Sequence, residues 1–385
     1  MAFDFTGLVW QARRSGWCVE TRIARWGVAA AVGIMALGSF ASESRAQICV
    51  CGPPAPPPSV ATTGANNAIS SGFAAFDLGS HFLRTISDHA TPSFGGGYGL
   101  PNAEGGGAGN DTPHYRSWVE SYGLWSSTSA QGDFVGDSRR TLGGVAGFGA
   151  NVVPGGWIGV SVDQSHTNID APAAMQTATL DLTQLGLNGS YDFGPWTISS
   201  GVIRGFGSVG SHRNTSTGPA GASFDADLWG AITELSYYWG IGNARIVPKI
   251  GADWLRTHTV AYSETGASLD TVSVPDAVSM RTRVFAGAEV GNSWMVDKTM
   301  LDLSAYGRVL DAVEQQQPNL LLVSTTGNES PSLIQGPLEG RLGVDAGAMA
   351  SLRLTPLSRV YLGFESHFRD GYQAYGGTIG GELKW

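Results

Sequence analysis

From Arg116 onward, apolar and polar residues alternate almost one for one, the period of a strand with a greasy face and a wet face. The end of the chain shows the pattern plainly. Tyr375, Ile379, Leu383 and Trp385 fall on one side with Gly377 and Gly381, and Thr378, Glu382 and Lys384 fall on the other. Four further segments repeat it, with Ile158, Val160 and Val162 opposing Asp163, and Leu185, Leu187 and Tyr191 opposing Gln184, Asn188 and Asp192. Ile246, Ile250 and Trp254 likewise oppose Arg245, Lys249 and Asp253, while Val360, Leu362, Phe364 and Phe368 oppose Glu365, His367 and Arg369. This periodicity predicts twelve strands, at about 116–127, 140–153, 157–167, 177–192, 196–208, 224–239, 244–261, 279–291, 299–312, 337–353, 359–368 and 375–385.

The connections carry an independent signal. Pro154-Gly155-Gly156, Gly194-Pro195, Gly240-Ile241-Gly242-Asn243, 292–298 and 354–358 are short and follow even-numbered strands, whereas 128–139, 168–176, 209–223, 262–278 and 313–336 are longer and follow odd-numbered ones. A soluble sandwich has no reason to alternate in this way. Short turns at one end and long loops at the other, with an even strand count, are the topology of a transmembrane barrel whose greasy face meets lipid. The expected fold class is therefore an all-β membrane protein, an antiparallel barrel of about 12 strands with both barrel ends on the periplasmic side. Composition fits: 55 of 385 residues are Gly, 10% are aromatic and only 14% are charged, against roughly 7% Gly and 25% charge in soluble domains.

The segment ahead of the strands is different in kind. An apolar run from Gly27 to Gly38 follows Arg13, Arg14, Arg22 and Arg25 and precedes Ser44-Arg45-Ala46, the order of a secretory signal over 1–46. It is shorter than the ~20 residues a spanning helix needs. A Pro-rich spacer, 47–61, follows. In 62–92, Ile69, Phe73, Phe76, Leu83 and Ile86 recur at near-helical spacing, which predicts one amphipathic helix. Gly95-Gly96-Gly97 and Gly105-Gly106-Gly107 mark a linker over 93–115. Cys49 and Cys51 are one residue apart, a spacing suited to a local redox pair or an intermolecular link, and too sparse for a zinc site. The formal net charge is −9, and the signal would remove Arg13, Arg14, Arg22, Arg25 and Arg45, leaving the remainder more acidic still. Nucleic acid is not an expected partner.

An aromatic closing the final strand resembles the C-terminal signature of bacterial outer-membrane β-barrels. With the preceding helix, Trp118-Val119-Glu120-Ser121-Tyr122-Gly123, Gly143-Gly144-Val145-Ala146-Gly147-Phe148-Gly149 and Gly380-Gly381-Glu382-Leu383-Lys384-Trp385 make residues 62–385 resemble the translocator (β) domain of autotransporters. The resemblance implies a barrel over 116–385 in the outer membrane, a helix inside its lumen, and a passenger exported to the surface. It also implies outer-membrane lipid, the barrel-assembly machinery and periplasmic chaperones as partners, Trp385 as an assembly signal, and no cofactor or metal. Only about fifteen Pro-rich residues lie between Gln47 and the helix, so little or no passenger is expected within this chain.

Candidate chemistry is sparse, and no enzyme activity is expected. Inward parity assigns Arg281, Arg283, Glu289, Asp302, Arg308, Glu339, Arg341, Asp345, Glu365 and Arg369 to the lumen wall, where charges of both signs would pair with one another and with the helix. Asn66-Asn67 resembles the Asn-Asn junction at which some autotransporters cut themselves. By that reading Asn66 would be the nucleophile, with Glu289 or Glu365 assisting, although asparagines near a helix start are commonly caps. His166, His212 and His258 fall near the upper strand ends, and His166 and His258 are the candidates for hydrolysis at the barrel rim, without a motif that joins them. Three functions follow: a translocator or surface-exposed barrel, a small channel plugged by the helix, and a rim hydrolase.

Overall fold

The computed structural model describes residues 60–90 and 114–385, apart from 268, 298 and 326–330, and side chains from Gly64 onward. The expectations for the leader, Cys49 and Cys51, the spacer and most of the linker lie outside the described residues.

Twelve long strands form the wall: β1 Tyr115–Thr128, β2 Asp137–Val153, β3 Gly156–Ala171, β4 Gln176–Phe193, β5 Trp196–Thr215, β6 Gly218–Tyr237, β7 Ala244–Thr259, β8 Ala277–Val296, β9 Thr299–Gln316, β10 Leu342–Thr355, β11 Ser358–Arg369 and β12 Tyr372–Lys384. Each pairs antiparallel with its sequence neighbours, and β12 returns to β1 with Leu383 opposite Ser117 and Tyr372 opposite Thr128. The sheet is thus closed. A closed barrel leaves no open edge, the condition for spanning lipid with strands. The predicted alternation holds along the wall: Val160, Leu187, Ile250, Leu362 and Ile379 are exposed outward, while Asp163, Gln184, Asp253, His367 and Glu382 are buried inward.

The abundance of glycine has a local reason. Inward Trp118, Tyr122, Tyr306 and Tyr361 lie over their cross-strand partners Gly147, Gly143, Gly347 and Gly380. A large ring in each case occupies the space a facing side chain would take. The rings lie flat against the wall and leave the bore open.

That bore holds the one described α-helix, α1 Val60–Ala90. Ala65, Ala68, Ile69, Phe73, Phe76, Phe82, Leu83 and Ile86 are buried and join one apolar cluster with Leu180, Leu182, Ile203, Leu228, Ile232 and Leu255 of the wall. Contacts run mainly to β3–β7. Gly79 permits this closeness, since a methyl there would stand 2.9 Å from Leu228 Cδ2 and Leu255 Cδ2.

At the extracellular end the structure departs from expectation. Residues 168–171 and 209–215, which the alternation places in loops, belong to β3 and β5, and β6 begins at Gly218, so the β5–β6 connection is only 216–217. Above the membrane, polar residues such as Ser208, Ser211 and His212 can alternate in water without a hydrophobic face to announce a strand. The two long connections, after β7 and after β9, also gain structure. Tyr262–Ser263, Val272–Val274, Asn319–Ser324 and Ser332–Gln335 form a separate four-stranded sheet. Its Val272, Leu320, Leu322 and Ile334 are buried, and a methyl at Gly64 would stand 2.5 Å from Val272 Cγ2. This small sheet therefore covers the upper end of α1.

Candidate functional site: the lumen and its helix

One face of α1 is apolar and meets β3–β7; the opposite face carries Asp77, His81, Arg84 and Asp88 at spacings of four, three and four, the period of a helical stripe. These groups reach the charged wall. Tyr372 Oη donates to Asp77 Oδ1 at 2.7 Å, and Ser126 Oγ donates to Asp77 Oδ2 at 2.8 Å. Arg139 stands 3.6 Å from the same carboxylate. One turn below, Ser80 Oγ accepts from Arg281 at 2.7 Å and Arg283 at 3.1 Å. His81 Nδ1 lies 2.9 Å from Glu365 Oε1. Arg84 lies between Glu365 (3.4 Å) and Asp345 (3.5 Å). Lys249 Nζ lies 3.6 Å from Asp88 and 3.3 Å from Glu234. At the lower end, His89 stacks on Trp118 with centroids 3.8 Å apart, and Arg116 donates to the His89 carbonyl.

The wall charges also pair among themselves. Glu339 holds Arg281 at 2.7 Å and Arg369 beside it. Arg283 pairs with Asp253 at 2.8 Å, and Arg308 with Asp345 at 2.9 Å. Arg245 lies between Glu289 (2.9 Å) and Asp302 (2.6 Å). Each charge is removed from bulk water and matched, which is what makes such burial tolerable. Beside the helix, between Arg84, Asp88, Tyr306, Arg308 and Glu365, a cavity of about 90 Å³ remains. Charged groups reach into an otherwise largely apolar lining, and its size suits several waters.

Nine of the ten residues assigned to the lumen stand there. Arg341 does not. It precedes β10, where strand parity no longer applies, and its side chain, 72% exposed, pairs with Asp311 at 2.7 Å. The helical partners Asp77, His81, Arg84 and Asp88 carry one signal in the sequence, their spacing of four, three and four, which apolar periodicity alone passes over.

The catalytic candidates are not brought together. Asn66 lies well inside α1, its Oδ1 accepting from the Val135 amide at 3.2 Å and its Nδ2 facing Ser70 Oγ at 3.4 Å. Asn67 Nδ2 donates to Ser211 Oγ at 2.6 Å. Glu365 stands at the level of His81, about 22 Å down the helix at 1.5 Å per residue. It is therefore too far to assist Asn66. His166 and His258 face outward in cross-strand pairs, His166 with Asp181 at 2.7 Å and His258 with Asp227 at 3.8 Å. Three strands separate β3 from β7, a gap of about 19 Å. In the loop above, Asp270 is held below the usual carboxylate range by hydroxyls of Ser216 and Thr217.

A closed twelve-stranded barrel with lipid-facing apolar residues and a charged lumen threaded by one helix defines an integral outer-membrane β-barrel of the helix-plugged kind. A sequence model of the autotransporter β-domain matches residues 117–365, and the chain belongs to that family, in the bacterial outer membrane. The translocator domain of the autotransporter NalP from Neisseria meningitidis is similar in structure, at TM-score 0.64 and 14% identity over 83% of this chain and 99% of that one. The β-domain of the Bordetella autotransporter BrkA is similar at TM-score 0.52 and 11% identity, over 71% of this chain and 100% of that one. Outer membrane protein B of Rickettsia conorii is 22% identical over 287 residues, 70% of this chain and 17% of the relative, and that of Rickettsia rickettsii is 22% identical over the same shares. The chain thus spans under a fifth of the length of those relatives.

Proposed function

We propose that this barrel conveys an N-terminal segment to the cell surface and then keeps α1 in its lumen as a seated plug. The observation that carries the reading is the course of α1. Its upper end, at Asn66, contacts Val135 in the long β1–β2 connection, and its lower end, at His89, meets Trp118 and Arg116 near the start of β1. Chain ahead of Val60 is then delivered to the surface side. Residues 1–46 would serve as the export signal, 47–61 as the spacer, 62–92 as the plugging helix, 93–115 as the link to the wall and 116–385 as the barrel. Trp385 would be read by the barrel-assembly machinery, with periplasmic chaperones escorting the unfolded chain.

An epitope tag inserted after Pro58, probed in intact cells after heat-dependent gel mobility has confirmed a folded barrel, tests this. Surface accessibility is expected. A tag reached only after the outer membrane is broken would reject it.

A second reading, a small channel closed by its helix, is favoured by the cavity left beside α1, into which Arg84, Asp88, Arg308 and Glu365 reach. Under it, deletion of 62–90 raises single-channel conductance while the tag stays inside.

A further inference from the structure

The outer face of the wall is apolar along most of its height, so charged side chains placed there need a reason. Among the described residues of the barrel strands, the outward-facing cationic side chains are Arg140, Arg204 and Arg256; Arg116, Arg139, Arg213, Arg245, Lys249 and the others face in. None of the three stands at the periplasmic girdle, where Tyr115, Tyr191, Phe193, Trp196, Trp294 and Trp385 lie. Arg256 is ten residues above Ile246 along β7, a climb of about 25 Å at ordinary rise and tilt, which is the height of the apolar band. These arginines belong to the outer leaflet's polar boundary.

Two of them share one row. Arg204 of β5 is directly opposite Trp229 of β6, and Trp229 is opposite Arg256 of β7. Arg204 Cζ stands 4.7 Å from the ring centroids of both Phe206 and Trp229, so its guanidinium sits between two rings, and its Nη2 donates to Asp227 Oδ1 at 2.8 Å. Arg256 is exposed and makes no hydrogen bond or ion pair among the described residues. Its guanidinium thus stands ready beside an exposed indole, two strand spacings, about 10 Å, from a second guanidinium. The motif recurs across the barrel, where exposed Arg140 of β2 is opposite exposed Trp125 of β1.

An unpaired guanidinium at a lipid boundary calls for an anion, and its planar fork matches phosphate oxygens. A tryptophan at the same depth offers an apolar surface to the first methylenes of an acyl chain and a polar edge to a sugar. We propose that Arg204, Trp229 and Arg256 form a binding site for the phosphate-bearing headgroup of an outer-leaflet glycolipid, with Arg256 as the principal phosphate ligand and Trp229 as the platform. Arg204, partly satisfied by Asp227, holds the ring and supplies the second positive pole.

The test uses the full folded barrel in phosphatidylcholine nanodiscs, titrated with bisphosphorylated lipid A or its dephosphorylated form and read by native mass spectrometry. Heat-dependent gel mobility certifies folding of every variant. The phosphorylated lipid should bind about tenfold more tightly than the dephosphorylated one, and Arg256→Gln should remove about that factor, the scale of one charged hydrogen-bonded contact. Arg341→Gln, a change at a cation outside the row, should leave binding unaltered. Equal binding of the two lipids, full binding by Arg256→Gln, or displacement of the lipid by inorganic phosphate alone would each overturn the assignment. If Arg256→Gln fails to assemble, Arg204→Gln is measured in its place and should likewise lose much of the preference for the phosphorylated lipid; an intact preference would reject the site.

Discussion

Tyr372, the first residue of the closing strand, donates its hydroxyl to Asp77 of the lumenal helix at 2.7 Å, so the helix is tied to the strand that seals the barrel. Asp77 also faces Arg139, whose side chain is among the largest fully buried ones. Replacing Asp77 by Ala leaves that guanidinium with Asp137, 3.7 Å away, as its one carboxylate among the described ion pairs and should cost about 2 kcal/mol, whereas Tyr372→Phe removes one hydrogen bond and should cost about 1 kcal/mol. The temperature at which the compact gel band converts to the unfolded one measures both. Equal losses would contradict the ranking.

Glu339 joins Arg281 and Arg369 at a place where Arg283 is also buried. Glu339→Gln leaves three guanidiniums with one remaining wall carboxylate, Asp253, close by. Loss of about 3–5 kcal/mol is expected, and much of it should return in the double variant Glu339→Gln, Arg281→Met, because the unmatched charge rather than the missing bond dominates. Additive losses in the double variant would refute that account.

Gly143 lies beneath the Tyr122 ring, which in turn lies 4.2 Å from His81 between ring centroids. Gly143→Val should therefore act at a distance, tipping Tyr122 toward α1 and loosening the helix without opening the wall. Conductance across planar bilayers should show brief openings that the unaltered barrel lacks. A silent variant with normal folding would show that the ring can move elsewhere.

Trp385 lies with Tyr115 and Phe148 in an aromatic cluster at the lower rim, centroids 6.3 and 6.1 Å away, and its backbone pairs with Tyr115 at 2.9 and 3.1 Å. Trp385→Ser keeps the backbone pairing but removes the ring. Slower appearance of the heat-modifiable species after a pulse of synthesis is expected, with the final barrel only slightly less stable. Unchanged kinetics would deny the ring a part in assembly.

Period two made the wall legible: Ile158 to Val162 or Leu185 to Tyr191 declare both strand and sidedness, since lipid demands a continuous greasy face. The same argument located Glu289, Asp302 and Asp345 in the lumen. It could not follow the chain out of the membrane, where Ser211 and His212 need no lipid face, and it misplaced Arg341 by carrying parity past the end of a strand. Nor could it pair His81 with Glu365, because partners from a helix and a strand 284 positions apart meet only through the fold.

The small sheet above α1 has a consequence for timing. Val272–Val274 comes from the connection after β7 and Asn319–Ser324 from the connection after β9, and the two pair antiparallel, Val272 opposite Ser324. On the proposed transport route, such stitching between two separate loops waits until the moving chain has left the mouth where Val272 meets Gly64. Departure then comes first and stitching afterwards, which would make the sheet a knot tied behind the last traveller.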